Sequence, residues 1–289
     1  MTHFTGKVAV VTGAGSGIGR ALSVELARRG ARLAISDVDL AGLADTEALV
    51  KAAGADVRSD SLDVSQRELV LSYADSVAEQ FGAVNLVFNN AGIAFTGTIE
   101  QMSFKDIDRV MDVDFWGVVN GTKAFLPHLI ASGDGHVINI SSIFGLFSVP
   151  TQSAYNAAKF AVRGFTESLR QEMLNEKRPV KVTCVHPGGI KTNIARNSGQ
   201  VDGLDHDELA GAFDKLRAHL APQGRRGDPQ GSREEPTARA DRCRCLGCST
   251  SSCVPPALAT SGSWLRSAGA TVVGKCDVRA GLAVSRSAS

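Results

Sequence analysis

The amino-acid sequence predicts an α/β fold, a doubly wound parallel sheet in a single domain followed by an irregular C-terminal tail. Three observations carry that expectation. Short β-branched runs at Val8, Leu33, Val57, Val84, Val137 and Val180 alternate with helix-like stretches, the order expected of parallel strands joined by crossover helices. The first run, Lys7 to Thr12, is apolar almost throughout rather than alternating, as suits a strand covered on both faces. It ends abruptly in a glycine-rich turn that leads straight into a helix-forming stretch, Arg20 to Arg29.

That turn reads Thr12-Gly13-Ala14-Gly15-Ser16-Gly17-Ile18-Gly19. Glycines there let the backbone approach a pyrophosphate, and the helix that follows offers unpaired N–H donors to the anion. Gly13, Ser16, Gly17, Ile18 and Gly19 are therefore candidate dinucleotide-binding residues. The second strand, Arg32 to Ser36, ends at Asp37, eighteen residues past Gly19. A carboxylate at that place accepts hydrogen bonds from both adenosine ribose hydroxyls and repels a 2′-phosphate, so NAD is expected over NADP. Ser16 and Val38 flank the same pocket and supply no cation that would reverse the preference.

The second half of the chain carries a different chemistry. Tyr155 and Lys159 lie four residues apart, about one helical turn, and so project from one helix face. A neighbouring ammonium favours phenolate over phenol, which is expected to pull Tyr155 from near ~10 towards the working range of an acid or base. Ser142, thirteen positions upstream, can hold the substrate oxygen. His128 and His186 have no partner at ligand spacing and read as structural, and no metal site is expected.

With these segments in hand, the chain resembles the non-extended branch of the short-chain dehydrogenase/reductase family from about Lys7 to Leu220. The motifs occur in family order: Thr12 to Gly19, Asp63-Val64, Asn89-Asn90-Ala91-Gly92, Ser142, Tyr155 with Lys159, and Pro187-Gly188 with Thr192. The resemblance implies a Rossmann fold with NAD in its cleft. It further implies that Asp63 and Val64 lie by the adenine, that Asn90, Ala91 and Gly92 shape the cofactor floor, that Tyr155, Lys159, Pro187 and Gly188 meet the cofactor, and that Thr192 meets the nicotinamide carboxamide. A helix N-cap is the plain alternative for Asp63. One position departs from the family: Asp114 stands where an asparagine usually completes a catalytic tetrad, which puts a negative charge near Lys159. The resemblance also implies a homodimer or homotetramer built on two helices, Ser103 to Ala131 and Gln152 to Asn175, which carry Phe115, Trp116, Val119, Phe160 and Phe165.

Composition bounds the rest. With 289 residues, 43% hydrophobic and a net charge of +1, the chain can bury one substantial core and has no excess charge suited to nucleic acid. Neither a spanning apolar stretch nor a signal-peptide layout is visible, so the protein is expected to be cytoplasmic and not membrane-bound. The catalytic domain is expected over 1–221, with Asn193 to Leu220 covering the substrate.

From Pro222 the character changes: five of nine prolines, five of six cysteines and nine arginines against one lysine fall in 222–289. Helical and strand periodicity fade there, and the segment reads as irregular, disordered or out of frame. Cys243, Cys245, Cys248 and Cys253 match a zinc cluster only loosely.

The function expected is an oxidoreductase that moves a hydride between NAD(H) and a small-molecule secondary alcohol or ketone of hydrophobic character. Ile93, Ala94 and Phe95, with Ile143, Phe144, Leu146, Phe147 and Val149, follow strand ends and suggest an apolar substrate, although the same side chains could simply cover the sheet. The alternatives are an NADPH-dependent ketoacyl-type reductase, which Asp37 opposes, and a catalytically impaired nucleotide-binding protein.

Overall fold

The computed structural model describes residues 4–188, together with the backbone of residues 199 and 200. The strands are β1 (Val8–Thr12), β2 (Arg32–Asp37), β3 (Val57–Ser61), β4 (Leu86–Asn89), the short β5 (Phe95–Thr96), β6 (Gly135–Ile140), β7 (Val180–Val185) and the short β8 (Gly199–Gln200). The helices are α1 (Gly17–Arg28), α2 (Leu40–Ala52), α3 (Arg67–Phe81), α4 (Phe104–Met111), α5 (Gly117–Ala131) and α6 (Ser153–Asn175). Six strands form one parallel sheet in the order β3-β2-β1-β4-β6-β7, and β5 pairs with β8 apart from it. This is the doubly wound sheet that the sequence predicts.

Alternation along β1 shows why the whole run is apolar. Val8 and Val10 face one core, with Val70, Val77 and Phe81 of α3, Phe125 and Leu129 of α5, and Leu169 and Met173 of α6. Ala9 and Val11 face the other, with Leu22 and Leu26 of α1 and Leu43 and Val50 of α2. Helices on both faces leave no side of the central strands for water, so polar alternation would strand unpaired groups. At the sheet edge β3 reads Val-Arg-Ser-Asp-Ser and is only partly buried, a charged composition that discourages pairing with another chain. Val84, expected within the fourth strand, is buried just before it.

The chain order reverses at β1, whose neighbours are β2 and β4. Crossovers leave it in opposite directions, and a crevice opens at the strand carboxyl ends. Both the glycine turn and the loop after β4 arrive there.

The helix expected from Ser103 to Ala131 is interrupted. A capping box starts α4: the Ser103 side chain accepts from the Asp106 amide, and the Asp106 carboxylate accepts from the Ser103 amide. Asp112–Trp116 then form a π-helical turn before α5 resumes. Such wide turns occur often at functional sites. Asp114 sits at its centre.

Candidate active site

Two loops build the floor of the crevice. Asn90 donates through Nδ2 to the carbonyls of Thr12 and Gly13, at 2.9 and 3.1 Å, while Thr12 Oγ1 accepts the amides of Asn90 and Ala91. The glycine turn is thus stitched to the loop after β4. Gly19 explains why the turn admits no side chain: a Cβ there would lie 2.1 Å from the Gly13 carbonyl oxygen. Gly13 itself takes φ +65°, a conformation that suits glycine.

The glycine turn also passes the test for an anion. Ser16 caps α1 without a side-chain hydrogen bond, and no acidic residue occupies the first helical turn. Amide donors and the positive end of the helix therefore face the crevice with no side chain answering them. Asp37 closes the outer end, accepting the Gly15 amide at 2.7 Å and the Asp39 amide at 2.9 Å. Arg20, which drew no attention in the sequence, clamps this region by donating to the carbonyls of Gly15 and Gly42 and to Thr46 Oγ1. That guanidinium is engaged with the backbone of the turn.

Asp63 is not the N-cap of α3, a place held by Gln66; its carboxylate accepts the Ser65 amide and hydroxyl, and its carbonyl accepts the Gln66 amide. Val64 is buried beside Gly117. The Val64 carbonyl accepts from Asn120 Nδ2 at 3.0 Å, which ties this stretch to α5. Pro187 and Gly188 pack on the loop that carries Ser142: the Pro187 carbonyl accepts the Ile143 amide, and a Cβ on Gly188 would meet Ile143 Cγ2 at 2.7 Å. Thr192 lies outside the described residues. So do the tail with its cysteines and the expected substrate-covering segment Asn193 to Leu220, save the backbone of residues 199 and 200.

Ser142, Tyr155, Lys159 and Asp114 converge at the other end of the crevice. Lys159 Nζ lies 5.4 Å from the centre of the Tyr155 ring, as one helical turn of separation requires. Its ammonium donates to the Ile140 carbonyl at 3.3 Å and lies 3.0 Å from Asp114 Oδ2. Contact with the carboxylate is that of an ion pair rather than a well-aligned hydrogen bond. Asp114 Oδ1 accepts the Ile93 amide at 2.7 Å. Asp114 is fully buried and Lys159 nearly so. Ser142 accepts the Phe144 amide through Oγ at 3.1 Å, and its hydroxyl lies near enough to Tyr155 to favour the phenolate against burial.

The electrostatics correct one expectation. Tyr155 titrates above, not below, the ordinary tyrosine range: burial disfavours the phenolate more than Lys159 favours it, and Asp114 adds to the rise. Lys159 is held above its usual range, since Asp114 and Tyr155 together outweigh the desolvation that opposes its charge. Burial raises Asp114, with Lys159 and the Ile93 amide pulling against it.

His186 was read as structural, and its place is informative. It is buried at the end of β7, and Nδ1 donates to the Ser142 carbonyl at 2.9 Å. Burial lowers its pKa against the pull of this bond, which favours the neutral ring with its proton on Nδ1. Position immediately before Pro187 was the available signal. His128 pairs instead with Asp75 on the surface.

An apolar wall adjoins the hydroxyls. Tyr155, Ile93, Phe95, Ile107 and Met111 pack around Met102, Val110 and Ala154, and the Phe144 ring meets Tyr155 edge-on at 6.4 Å. Two polar bonds fasten β5 to the start of α6: Gln152 Nε2 donates to Thr96 Oγ1 at 2.7 Å, and the Gly97 amide donates to the Thr151 carbonyl at 3.0 Å.

The chain is similar to known proteins in sequence and fold. A family model described as short chain dehydrogenase matches residues 7–202. The protein named "Putative oxidoreductase SadH" of Mycobacterium tuberculosis is 64% identical over 223 residues, covering 77% of this chain and 81% of that protein. Estradiol 17-beta-dehydrogenase 11 of Pongo abelii is 34% identical over 194 residues, covering 67% of this chain and 65% of that protein. Among solved structures, a short chain dehydrogenase/reductase from Burkholderia phymatum in complex with NAD superposes with a TM-score of 0.68 at 35% identity, covering 78% of this chain and 83% of that one.

Proposed function

The chain belongs to the short-chain dehydrogenase family and is an oxidoreductase, and on that premise we propose that it moves a hydride between NAD(H) and a secondary alcohol or ketone with an apolar body. The observation that carries this reading is the convergence of Ser142, Tyr155 and Lys159 beside an apolar wall. Bound nicotinamide cofactor supplies the hydride chemistry, and the chain supplies orientation and proton handling.

The turn Gly13 to Gly19 would hold the pyrophosphate through backbone amides, including those of Ser16, Gly17 and Ile18. Asp37 would take the adenosine ribose hydroxyls, which favours NAD because a 2′-phosphate would meet its charge. Asp63 and Val64 would border the adenine, Asn90 to Gly92 the floor, and Pro187, Gly188 and Thr192 the nicotinamide end. Ser142 steadies the substrate oxygen. In oxidation, ionised Tyr155 takes the hydroxyl proton; in reduction, neutral Tyr155 returns a proton to the carbonyl oxygen. His186 positions Ser142 through its carbonyl. Trp116 and Phe160, 43% and 39% exposed on the interrupted helix and on α6, favour a homodimer or homotetramer through those helices.

The relative acting on estradiol supports an apolar, ring-sized substrate for this site too. The test is a panel of 2-propanol, 2-octanol, cyclohexanol and a 17β-hydroxysteroid, assayed with NAD and separately with NADP by the absorbance of the reduced cofactor. Turnover is expected to favour NAD and to rise with apolar size. Turnover of 2-propanol alone would reject the substrate class, and preference for NADP would reject the role of Asp37.

A further inference from the structure

Asp114 sits at the centre of the π-helical turn, and its surroundings say what its carboxylate does. Its carboxylate is fully buried, 3.0 Å from Lys159 Nζ, and fixed on its other oxygen by the Ile93 amide at 2.7 Å. The loop after β4 covers the pair: a Cβ on Gly92 would lie 3.3 Å from Lys159 Nζ and 3.4 Å from both carboxylate oxygens. Water screens such a pair poorly, so the two charges oppose one another at any third group nearby. That third group is Tyr155, whose ring centre is 5.4 Å from the same ammonium.

We propose that Asp114 is a positioning residue that offsets the charge of Lys159 at Tyr155, keeps that phenol protonated through neutral pH, and so suits the site to carbonyl reduction while confining alcohol oxidation to alkaline pH. The inference rests on the hydride-transfer reading above for its catalytic meaning, but its physical core does not. In reduction the Tyr155 O–H bond breaks and its proton goes to the substrate oxygen, as hydride from the reduced cofactor reaches the carbonyl carbon. Oxidation reverses both transfers and needs the phenolate. An asparagine would keep the Ile93 bond through its carbonyl oxygen and leave the ammonium unopposed.

Other groups that bear on the pair come from each packed element. Cys184 of β7 lies near Lys159, its thiol held neutral by burial. His186 is neutral behind Ser142, and Arg163 and Glu167 of α6 form an ion pair of opposite charges. None of these places an uncompensated charge on Tyr155 comparable with that of Asp114, which acts on Tyr155 directly and in the same direction as burial.

The chain has two tyrosines, so tyrosinate absorbance reports on Tyr155 with Tyr73 as the other contributor. Tyr73 is buried against Phe125 and titrates well above the tyrosine range, and Tyr155→Phe identifies the remaining signal. The experiment titrates the full chain and Asp114→Asn without substrate. The tyrosinate midpoint is expected to fall in Asp114→Asn, each unit giving about tenfold more phenolate at a fixed lower pH. A midpoint that is unchanged or higher overturns the proposal. Wild type provides a reading that needs no variant to fold: a Tyr155 midpoint below the ordinary tyrosine value also overturns it. Lys159→Met supplies the opposing arm, since removing the ammonium should raise the midpoint where removing the carboxylate lowers it, and a midpoint that Lys159→Met leaves unchanged or lowers would show that the two charges do not oppose one another at Tyr155. If the panel alcohols turn over, their pH profile in Asp114→Asn should extend to lower pH; if none does, the absorbance titration still decides.

Discussion

The cofactor end and the proton-transfer end of the crevice are built from opposite materials. Around Gly13 to Gly19 the working groups are backbone amides, exposed because side chains are missing and because α1 begins without a cap bond or an acid. Around Tyr155 the working groups are side chains, drawn from α6, the loop after β6 and the π-helical turn, and their charges are buried. A backbone site is set by geometry and is nearly indifferent to pH. A side-chain site is set by a balance of burial and charge, in which one residue can change the sign of the outcome.

The sharpest way to break this comparison is Tyr155→Phe. Loss of the proton donor should lower turnover by about 10²–10⁴-fold while NAD binding, followed by calorimetry, stays within a few-fold of wild type. Comparable losses in both would mean that the two ends are one unit. Gly19→Ala should do the converse. Its Cβ would overlap the Gly13 carbonyl and press on Asn90 Nδ2 at 2.7 Å, so the turn must shift. We expect NAD affinity to fall at least ~10-fold and stability by about 1–3 kcal/mol, with turnover at saturating cofactor changed less. Unaltered NAD affinity would count against the backbone site.

The smallest effect concerns stability in alkali. Burial pushes the Cys184 thiol up to about 12, whereas in the unfolded chain it ionises near ~8.5. Between those values the folded state binds more protons, so stability falls as pH rises through the window. Tyr155 and Tyr73, acids raised on folding, push the same way at higher pH. Lys159, also raised, contributes stability that is complete below its unfolded value near ~10.4 and is lost above its folded one. Melting temperature should therefore decline steadily above about pH 8.5, and Cys184→Ala should flatten the first part of that decline. A flat curve to pH 10 in wild type would contradict the burial of the thiol.

Much of the fold was legible because its signals are local. An apolar run, a glycine turn and a helix announce β1 and α1 within about thirty residues, and Tyr155 with Lys159 needs only one helical turn to be read. Val84 was placed within a strand because it is apolar, yet it is a buried residue at the approach to β4. The titration of Tyr155 was misjudged for a deeper reason: spacing shows that an ammonium is near, but not how far desolvation counters it. Asp114 was recognisable as a departure, while its bond to the Ile93 amide depends on a chain reversal that no spacing rule encodes. His186 was read as structural with no partner named, since that partner is a carbonyl forty-four positions away, and backbone acceptors leave no trace in residue type.

The π-helical turn at Asp112–Trp116 has one further consequence. A π turn holds one residue more than an α turn, so α5 is rotated by roughly 100° against the phase that α4 would have imposed. Deleting one residue there would straighten the rod without touching a single loop. Every side chain downstream would then keep its phase, because the lost residue and the closed turn cancel, whereas straightening the rod with all its residues kept would swing Phe125 and Leu129 off the sheet and scramble the interior of half the molecule.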